Sequence, residues 1–327
     1  MLNVLTKPTV LVTRRLTGDV EERLRSEFNV MFRDPGISLT SPEFELQVSE
    51  ADAICPTVAD RIEERVFLRA GSRLRIVANF GVGYNNVDVS KARELGIVVT
   101  NTPDVLTEST ADLAMTLLLM VARRAGEGER LCRSGRWTGW EPLQLLGHDV
   151  SGKTLGLIGF GRIAQAVARR AHHGFGMQIL VHTRSKVDLA TLERYSARQC
   201  RKLDELLGAS DFVSLHCPGT PATHHLIDAD ALGRMRPSAV LVNTARGDIV
   251  DEGDLAEALA NATLGGAGLD VYEKEPRIDS RLRDLDNVVM LPHLGSATCG
   301  TRSAMGHRMI DNLVEFFAGR EPRDRVA

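Results

Sequence analysis

Residues 155–168 read LGLIGFGRIAQAVA: an apolar run, two closely spaced glycines, and an amphipathic run that follows without a gap. A short apolar run feeding directly into helix formers is the mark of a buried strand followed by a helix. Such units build parallel sheets with helices on both faces. Gly159, Gly161 and Ala164 fall at the junction as G-x-G-x-x-A. The first glycine permits a tight turn, the second lets backbone amides approach a pyrophosphate, and the small third residue lets the helix pack on the strand. In this strand-to-helix setting the pattern points to a dinucleotide, with Gly159, Phe160, Gly161, Arg162 and Ile163 as candidate contacts.

The rest of the chain follows the same alternation of short apolar runs and helix-like segments, so the predicted class is α/β with two doubly wound domains. PTVLVT (8–13), NVMF (29–32), DAICPT (52–57), LRIVANF (74–80) and VVTNTP (98–103) read as strands of a smaller, flavodoxin-like unit. The run 106–135, starting LTESTADLAM, reads as one long helix. Six strands then fit a Rossmann series: KTLGLIGF, MQILVHT, SDFVSLHC, SAVLVNTA, LGGAGLDVY and NVVMLPH. A terminal helix over 298–319 is too small to stand alone and is expected to pack back on the first unit. The predicted division is a discontinuous substrate domain, 1–103 with 295–327, into which a dinucleotide domain, 104–294, is inserted, with a cleft between the two.

A chain of 327 residues has room for two such domains, and 43% hydrophobic with 25% charged residues is ordinary for a globular protein. The formal charge of -3, with no dense Lys/Arg run, gives no long-range attraction to nucleic acid or anionic lipid. The start MLNVLTKPTVLVTRR lacks an uninterrupted apolar core, and the longest largely apolar stretch, 113–122, is too short for a bilayer. A cytoplasmic protein with no membrane or nucleic-acid partner is expected. Five scattered cysteines with no CxxC pair argue against disulfides and structural zinc. The pairs His172-His173 and His224-His225 have no Cys or carboxylate at ligand spacing, so no metal is expected.

ILVHTRSK (179–186) carries the cofactor's identity. About twenty residues past the glycine loop, a strand of this fold ends in the acid that binds the adenine-ribose hydroxyls. Here Thr183 stands in that place, followed by Arg184 and Ser185. A carboxylate would repel a 2′-phosphate, whereas hydroxyls and a guanidinium bind one. NADP(H) is therefore the favoured cofactor, with NAD(H) the alternative.

VNTARGDIVD (242–251), GLDVYEKEP (268–276) and MLPHLGSAT (290–298) each follow a strand of the second series, at the sheet edge where ligands sit. Arg246, Glu275 and His293 are expected to converge there. Reducing a carbonyl with a nicotinamide needs hydride delivered to the carbon and a proton for the oxygen. An imidazole titrates near neutrality and is the natural acid; a carboxylate on its second nitrogen fixes the tautomer, and an arginine fork can grip an anionic group. Asp248, Asp251 and Glu252, just before DLAEALA, read as helix-start carboxylates.

GFGRIAQ, NTARGDIVDE, GLDVYEKEP and LPHLGSAT, with ANFGVGYNNVD (78–88), together resemble the D-isomer-specific 2-hydroxyacid dehydrogenase family over essentially the whole chain. The resemblance implies Arg246, Glu275 and His293 as the catalytic set, Arg246 and His293 also touching substrate and cofactor. It implies backbone amides of Val82 and Gly83, with Asn79 nearby, as an anion nest for the substrate carboxylate. Asp270 matches the residue that holds the nicotinamide amide. His216, Cys217, Pro218, Thr244 and Ala245 match its wall, and Thr107, Thr223 and Gly295 complete the cofactor set.

The absence of a regulatory extension speaks against the longer phosphoglycerate dehydrogenases. GRWTGWEPLQLLG (135–147) is similar to the glyoxylate/hydroxypyruvate reductase subgroup, which implies a homodimer and a Trp140 that crosses the interface to limit substrate size. Two other readings share these motifs: an NAD-dependent dehydrogenase for another D-2-hydroxyacid, and a non-enzymatic nucleotide-sensing co-regulator.

Overall fold

The computed structural model describes residues 7–34, 36–38 and 41–327; the opening MLNVLT, read above for a leader, lies outside them. The chain forms two compact units, one running to Leu106 and resuming over Ser296–Ala327, the other spanning Thr107–Gly295.

In the first unit β1 (Thr9–Val12), α1 (Gly18–Glu27), β2 (Asn29–Phe32), α2 (Pro42–Ser49), β3 (Ala53–Cys55), α3 (Glu64–Ala70), β4 (Ile76–Ala78), α4 (Val89–Glu94) and β5 (Val98–Thr100) alternate in sequence. The five strands lie parallel in the order β2-β1-β3-β4-β5, which is the flavodoxin-like order. The four residues of β1 are all buried, as continuous apolar strands must be when helices cover both faces.

The second unit begins with α5 (Thr107–Ala122) and α6 (Ala125–Arg133). One long helix was predicted here, and the structure corrects that. Arg124 adopts a left-handed conformation (φ 49), and the Ala122 carbonyl, instead of continuing the helical ladder, accepts the His148 amide at 2.7 Å. The Rossmann series follows: β6 (Thr154–Ile158), α7 (Arg162–Phe175), β7 (Gln178–His182), α8 (Leu189–Arg194), β8 (Ala197–Gln199), α9 (Leu203–Ala209), β9 (Phe212–Leu215), α10 (Ala229–Gly233), β10 (Val240–Asn243), α11 (Glu252–Ala260), β11 (Gly266–Leu269), α12 (Ser280–Arg283) and β12 (Val288–Met290). These strands form one parallel sheet, β12-β11-β10-β9-β6-β7-β8.

The sheet has seven strands where six were predicted. The additional strand, β8, reads ARQ and lies at the edge, so it lacks the apolar run that marks a buried strand. Strand order reverses between β6 and β9, the switch point at which open α/β sheets bind ligands.

Helix α13 (Cys299–Phe317) belongs to the first unit. Thr298 caps it by accepting the Thr301 amide at 3.1 Å, and Met305, Met309, Ile310 and Leu313 are its buried face. Among the described residues no helix is long and apolar enough to cross a membrane.

Candidate active site

The phosphate loop sits where β6 meets α7. Gly159 has φ 87, and a Cβ there would lie 2.8 Å from the His216 carbonyl oxygen and the Cys217 nitrogen, so only glycine fits. Gly161 is the N-cap of α7 and offers no capping side chain, which leaves the first-turn amides of a 14-residue helix for an anion. Phe160 points into the core, edge-on to Tyr195, so the loop presents its backbone and the start of α7. These features fit a dinucleotide.

At the end of β7, Thr183 is half-buried and Arg184 and Ser185 are exposed; the turn is tied down by Gln199, whose amide nitrogen donates to the Ser185 carbonyl at 2.9 Å. No carboxylate replaces the missing acid within this turn.

The wall next to the loop is built on β9 and β10. His216 Nε2 lies 2.9 Å from Ser214 Oγ, and burial pulls the His216 pKa down to about 4, so this imidazole is neutral at physiological pH. Burial likewise pushes the Cys217 thiol up to about 11. The Thr223 hydroxyl donates to the Pro218 carbonyl at 2.7 Å and pins the 216–223 loop. Thr244 Oγ1 is buried and has no hydrogen-bond partner among the described residues. Such an orphan costs free energy unless a ligand or water meets it.

Arg246 follows β10 in a turn held by Asn243, whose side chain donates to the Arg246 carbonyl at 2.8 Å and accepts the Ala245 amide at 3.0 Å. Burial lowers the Arg246 pKa, and the charges of Glu275 and Asp248 oppose that shift. Gly247 is required next: an added Cβ would overlap the Tyr272 carbonyl carbon, so the arginine turn and the segment carrying Glu275 are in backbone contact.

Glu275 accepts a 2.9 Å hydrogen bond from His293 Nδ1 and a 3.0 Å bond from the Tyr272 amide. Burial pushes the Glu275 carboxyl up, but the His293 bond and charge, the amide and the Arg246 charge together hold it below its ordinary value. A carboxylate can only accept, so His293 carries its proton on Nδ1, and Nε2, which has no partner among the described residues, is the atom free to exchange a proton. His293 has φ 56, an uncommon conformation secured from below by Asp270. The Asp270 carbonyl accepts the His293 amide at 2.9 Å, and its two carboxylate oxygens accept the Leu294 and Gly295 amides at 2.6 and 2.8 Å. The Asp270 side chain, expected to hold a nicotinamide amide, is 1% exposed and braces the turn that carries His293. Burial raises its pKa, opposed by those two amides. The Thr110 hydroxyl donates to the Gly295 carbonyl at 3.1 Å, and Thr107, half-buried, lies one turn earlier on α5.

Two of the three acids read as helix-start carboxylates do something else. Asp251 caps α11, accepting the Gly253 and Asp254 amides at 2.9 and 3.0 Å. Asp248 lies in a separate 3-10 turn, Gly247–Ile249, with Oδ1 buried and without a hydrogen-bond partner among the described residues. Glu252 reaches out of the helix altogether and accepts the Glu273 and Asp279 amides. Among the described residues no three His, Cys, Asp or Glu are grouped to hold a metal.

In the first unit, the loop after β4 is organised through its carbonyls. Asn79 donates to the Gly81 and Gly83 carbonyls at 3.3 and 2.9 Å, Asn101 donates to the Val82 carbonyl at 2.8 Å, and the Thr102 amide takes the Gly81 carbonyl at 3.0 Å. The Val82 and Gly83 amides have no acceptor among the described residues. Asn79, expected among the substrate contacts, is fully buried with its Oδ1 accepting from Asn86, so its side chain shapes the loop. Trp140 is 78% exposed and Trp137 53% in this single chain.

Residues 115–295 match the family described as D-isomer specific 2-hydroxyacid dehydrogenase, NAD binding domain. A glyoxylate reductase of Thermococcus gammatolerans is 47% identical over 97% of this chain and 95% of its own length. A glyoxylate/hydroxypyruvate reductase B of Pectobacterium carotovorum is 41% identical over 96% of each. Among solved structures, an NADPH-dependent glyoxylate/hydroxypyruvate reductase of Sinorhizobium meliloti, in complex with NADP and malonate, superposes with a TM-score of 0.87 at 38% identity, covering 98% of this chain and 97% of that one. With the glycine loop, the His293–Glu275 pair and these relatives in agreement, the chain belongs to the D-isomer specific 2-hydroxyacid dehydrogenase family.

Proposed function

We propose that this protein reduces glyoxylate and hydroxypyruvate to glycolate and D-glycerate with a nicotinamide dinucleotide, NADP(H) in preference to NAD(H). The observation that carries the reading is the 2.9 Å His293–Glu275 hydrogen bond beside the Arg246 charge. The loop 159–163 would hold the dinucleotide, which would supply the hydride for the carbonyl carbon. Arg246 grips the carboxylate of the 2-oxoacid and polarises its carbonyl. His293 gives its Nε2 proton to the carbonyl oxygen, and Glu275 stabilises the imidazolium that precedes the transfer. The Val82 and Gly83 amides of the first unit are read as donors suited to a carboxylate.

The cofactor preference rests on Thr183, Arg184 and Ser185 at the end of β7. The homodimer rests on the segment 135–147, where Trp140, Leu143 (80% exposed) and Leu146 are exposed apolar side chains that a second copy would cover. Trp140 is read as the residue that narrows the partner's site against large 2-oxoacids.

A panel of glyoxylate, hydroxypyruvate, pyruvate and phenylpyruvate, each with NADPH and NADH, tests the reading. The two small acids with NADPH are expected to give the highest kcat/KM, from a dimer by light scattering; a preference for phenylpyruvate overturns it. Arg184→Ala removes a charge-assisted bond worth roughly 1.5–3 kcal/mol, so NADPH affinity should fall about ten- to a hundredfold while NADH affinity holds. Equal loss for both cofactors would reduce Arg184 to basic surface.

A further inference from the structure

We propose that Glu252 is a positioning residue for catalysis: its carboxylate clamps the segment 273–279 at both ends and so holds Glu275 against His293. The inference rests on the catalytic reading above. Glu252 is the first residue of α11, where an acid is ordinarily explained by the helix dipole. That explanation is insufficient here. Asp251 already caps the helix, and Glu252 turns away from it to accept the Glu273 amide through Oε1 at 2.6 Å and the Asp279 amide through Oε2 at 3.2 Å.

Between those two anchors lies Glu275, in a segment with no helix and only one isolated bridge, Lys274 to Arg277. Its near end is already fixed, because Tyr272 lies against Gly247 with no room for a Cβ and donates its amide to Glu275. The far end is also tied to α12, where Asp279 is the N-cap and Arg283 donates to the Ile278 carbonyl at 2.9 Å; Glu252 is the group that ties both ends to one carboxylate on α11. A displacement of about 1 Å in a catalytic group can cost on the order of a hundredfold in rate.

Other charges face the clamp from each neighbouring element. His225 Nδ1 lies 3.3 Å from Asp251 Oδ2 and its Nε2 3.8 Å from Glu273 Oε2. Lys274 lies 3.5 Å from Glu273, and Arg281 pairs with Asp279 at 2.7 Å. None of these reaches the Glu273 or Asp279 amide, so the clamp itself is a carboxylate on two N–H groups.

The test uses the full chain in four forms: wild type, Glu252→Ala, Glu275→Gln, and the double variant. Glu252→Ala is expected to lower kcat about ten- to a hundredfold, leave the dissociation constant for NADPH unchanged, and move the basic limb of the kcat/KM profile to lower pH. If Glu252 acts through Glu275, the double variant loses little more than Glu275→Gln alone. Glu252→Gln, which keeps the shape and one acceptor oxygen, should recover part of the rate and guards against a folding defect.

A readout independent of turnover is the His293 Nδ1 proton resonance, which should broaden by solvent exchange in Glu252→Ala and persist in wild type. Additive losses in the double variant, or an unaltered resonance and pH profile, overturn the clamp. A wild-type protein that reduces no 2-oxoacid would instead overturn the catalytic reading, while the resonance would still decide the clamp.

Discussion

The loop after β4 and the turns after β11 and β12 lie at corresponding edges of two parallel sheets and use their backbones in opposite ways. In the loop, side-chain amides of Asn79 and Asn101 and the Thr102 backbone take up the carbonyls of residues 81–83, and the Val82 and Gly83 N–H groups are left without an acceptor among the described residues. In the turns, carboxylates consume the N–H groups: Asp270 takes those of Leu294 and Gly295, Glu275 that of Tyr272, and Glu252 those of Glu273 and Asp279. Every backbone donor and acceptor needs a partner, so whichever kind is left over defines the region's chemistry. A loop with spare amides suits an anion. A turn whose amides are taken up by carboxylates is fixed, and it carries His293 with Nε2 unpartnered among the described residues.

The sharpest way to break this contrast is at the side chain assigned the chemistry. His293→Ala should cost about a hundredfold or more in kcat while the NADPH dissociation constant, read by fluorescence titration, stays put. Near-normal turnover would return the turns to a purely structural role.

Asp270→Asn should come next, with tens-fold loss of kcat and roughly 1.5–3 kcal/mol of stability, because an amide has one acceptor oxygen for two N–H groups. Its pH dependence has a definite sign. The Asp270 pKa is raised in the folded chain, so its contribution is present at low pH and lost as pH rises through the raised value. The Glu275 pKa is lowered, so its contribution is present above the ordinary carboxylate value and lost as pH falls through the lowered one. Urea midpoints measured across the carboxylate range should therefore rise more steeply with pH in Asp270→Asn than in wild type, and less steeply in Glu275→Gln. Parallel curves would contradict the opposed titrations.

The smallest effect belongs to the loop. Asn79→Ala frees the Gly83 carbonyl and should raise the KM for glyoxylate several-fold, with kcat and cofactor affinity near wild type. A loss confined to kcat would move Asn79 into the other class.

Much of this architecture was legible because it depends on local pattern. The G-x-G-x-x-A loop, the buried strands and the polar residues ending them are all short-range features, and the His293–Glu275 pair followed from knowing which sheet edge each would reach. Asn243, which holds the arginine turn, and Tyr272, which feeds Glu275 its amide, went unnoticed: the first acts through its side chain on neighbouring backbone and the second through its own amide, and neither leaves a composition signal. The edge strand β8 escaped for a related reason, since a strand exposed at the edge does not need an apolar run.

The sequence by itself determined the α/β class, the dinucleotide loop and the two residues of the hydrogen-bonded His293–Glu275 pair, because glycine geometry and apolar periodicity act over a few residues. Only the tertiary structure decided how the acids are used. Asp251, Glu252 and Asp248 lie within five residues of one another, yet one caps a helix, one clamps a segment more than twenty positions away, and one has a buried oxygen without a hydrogen-bond partner among the described residues. Which amide a carboxylate meets depends on where distant backbone passes, and no local pattern records that.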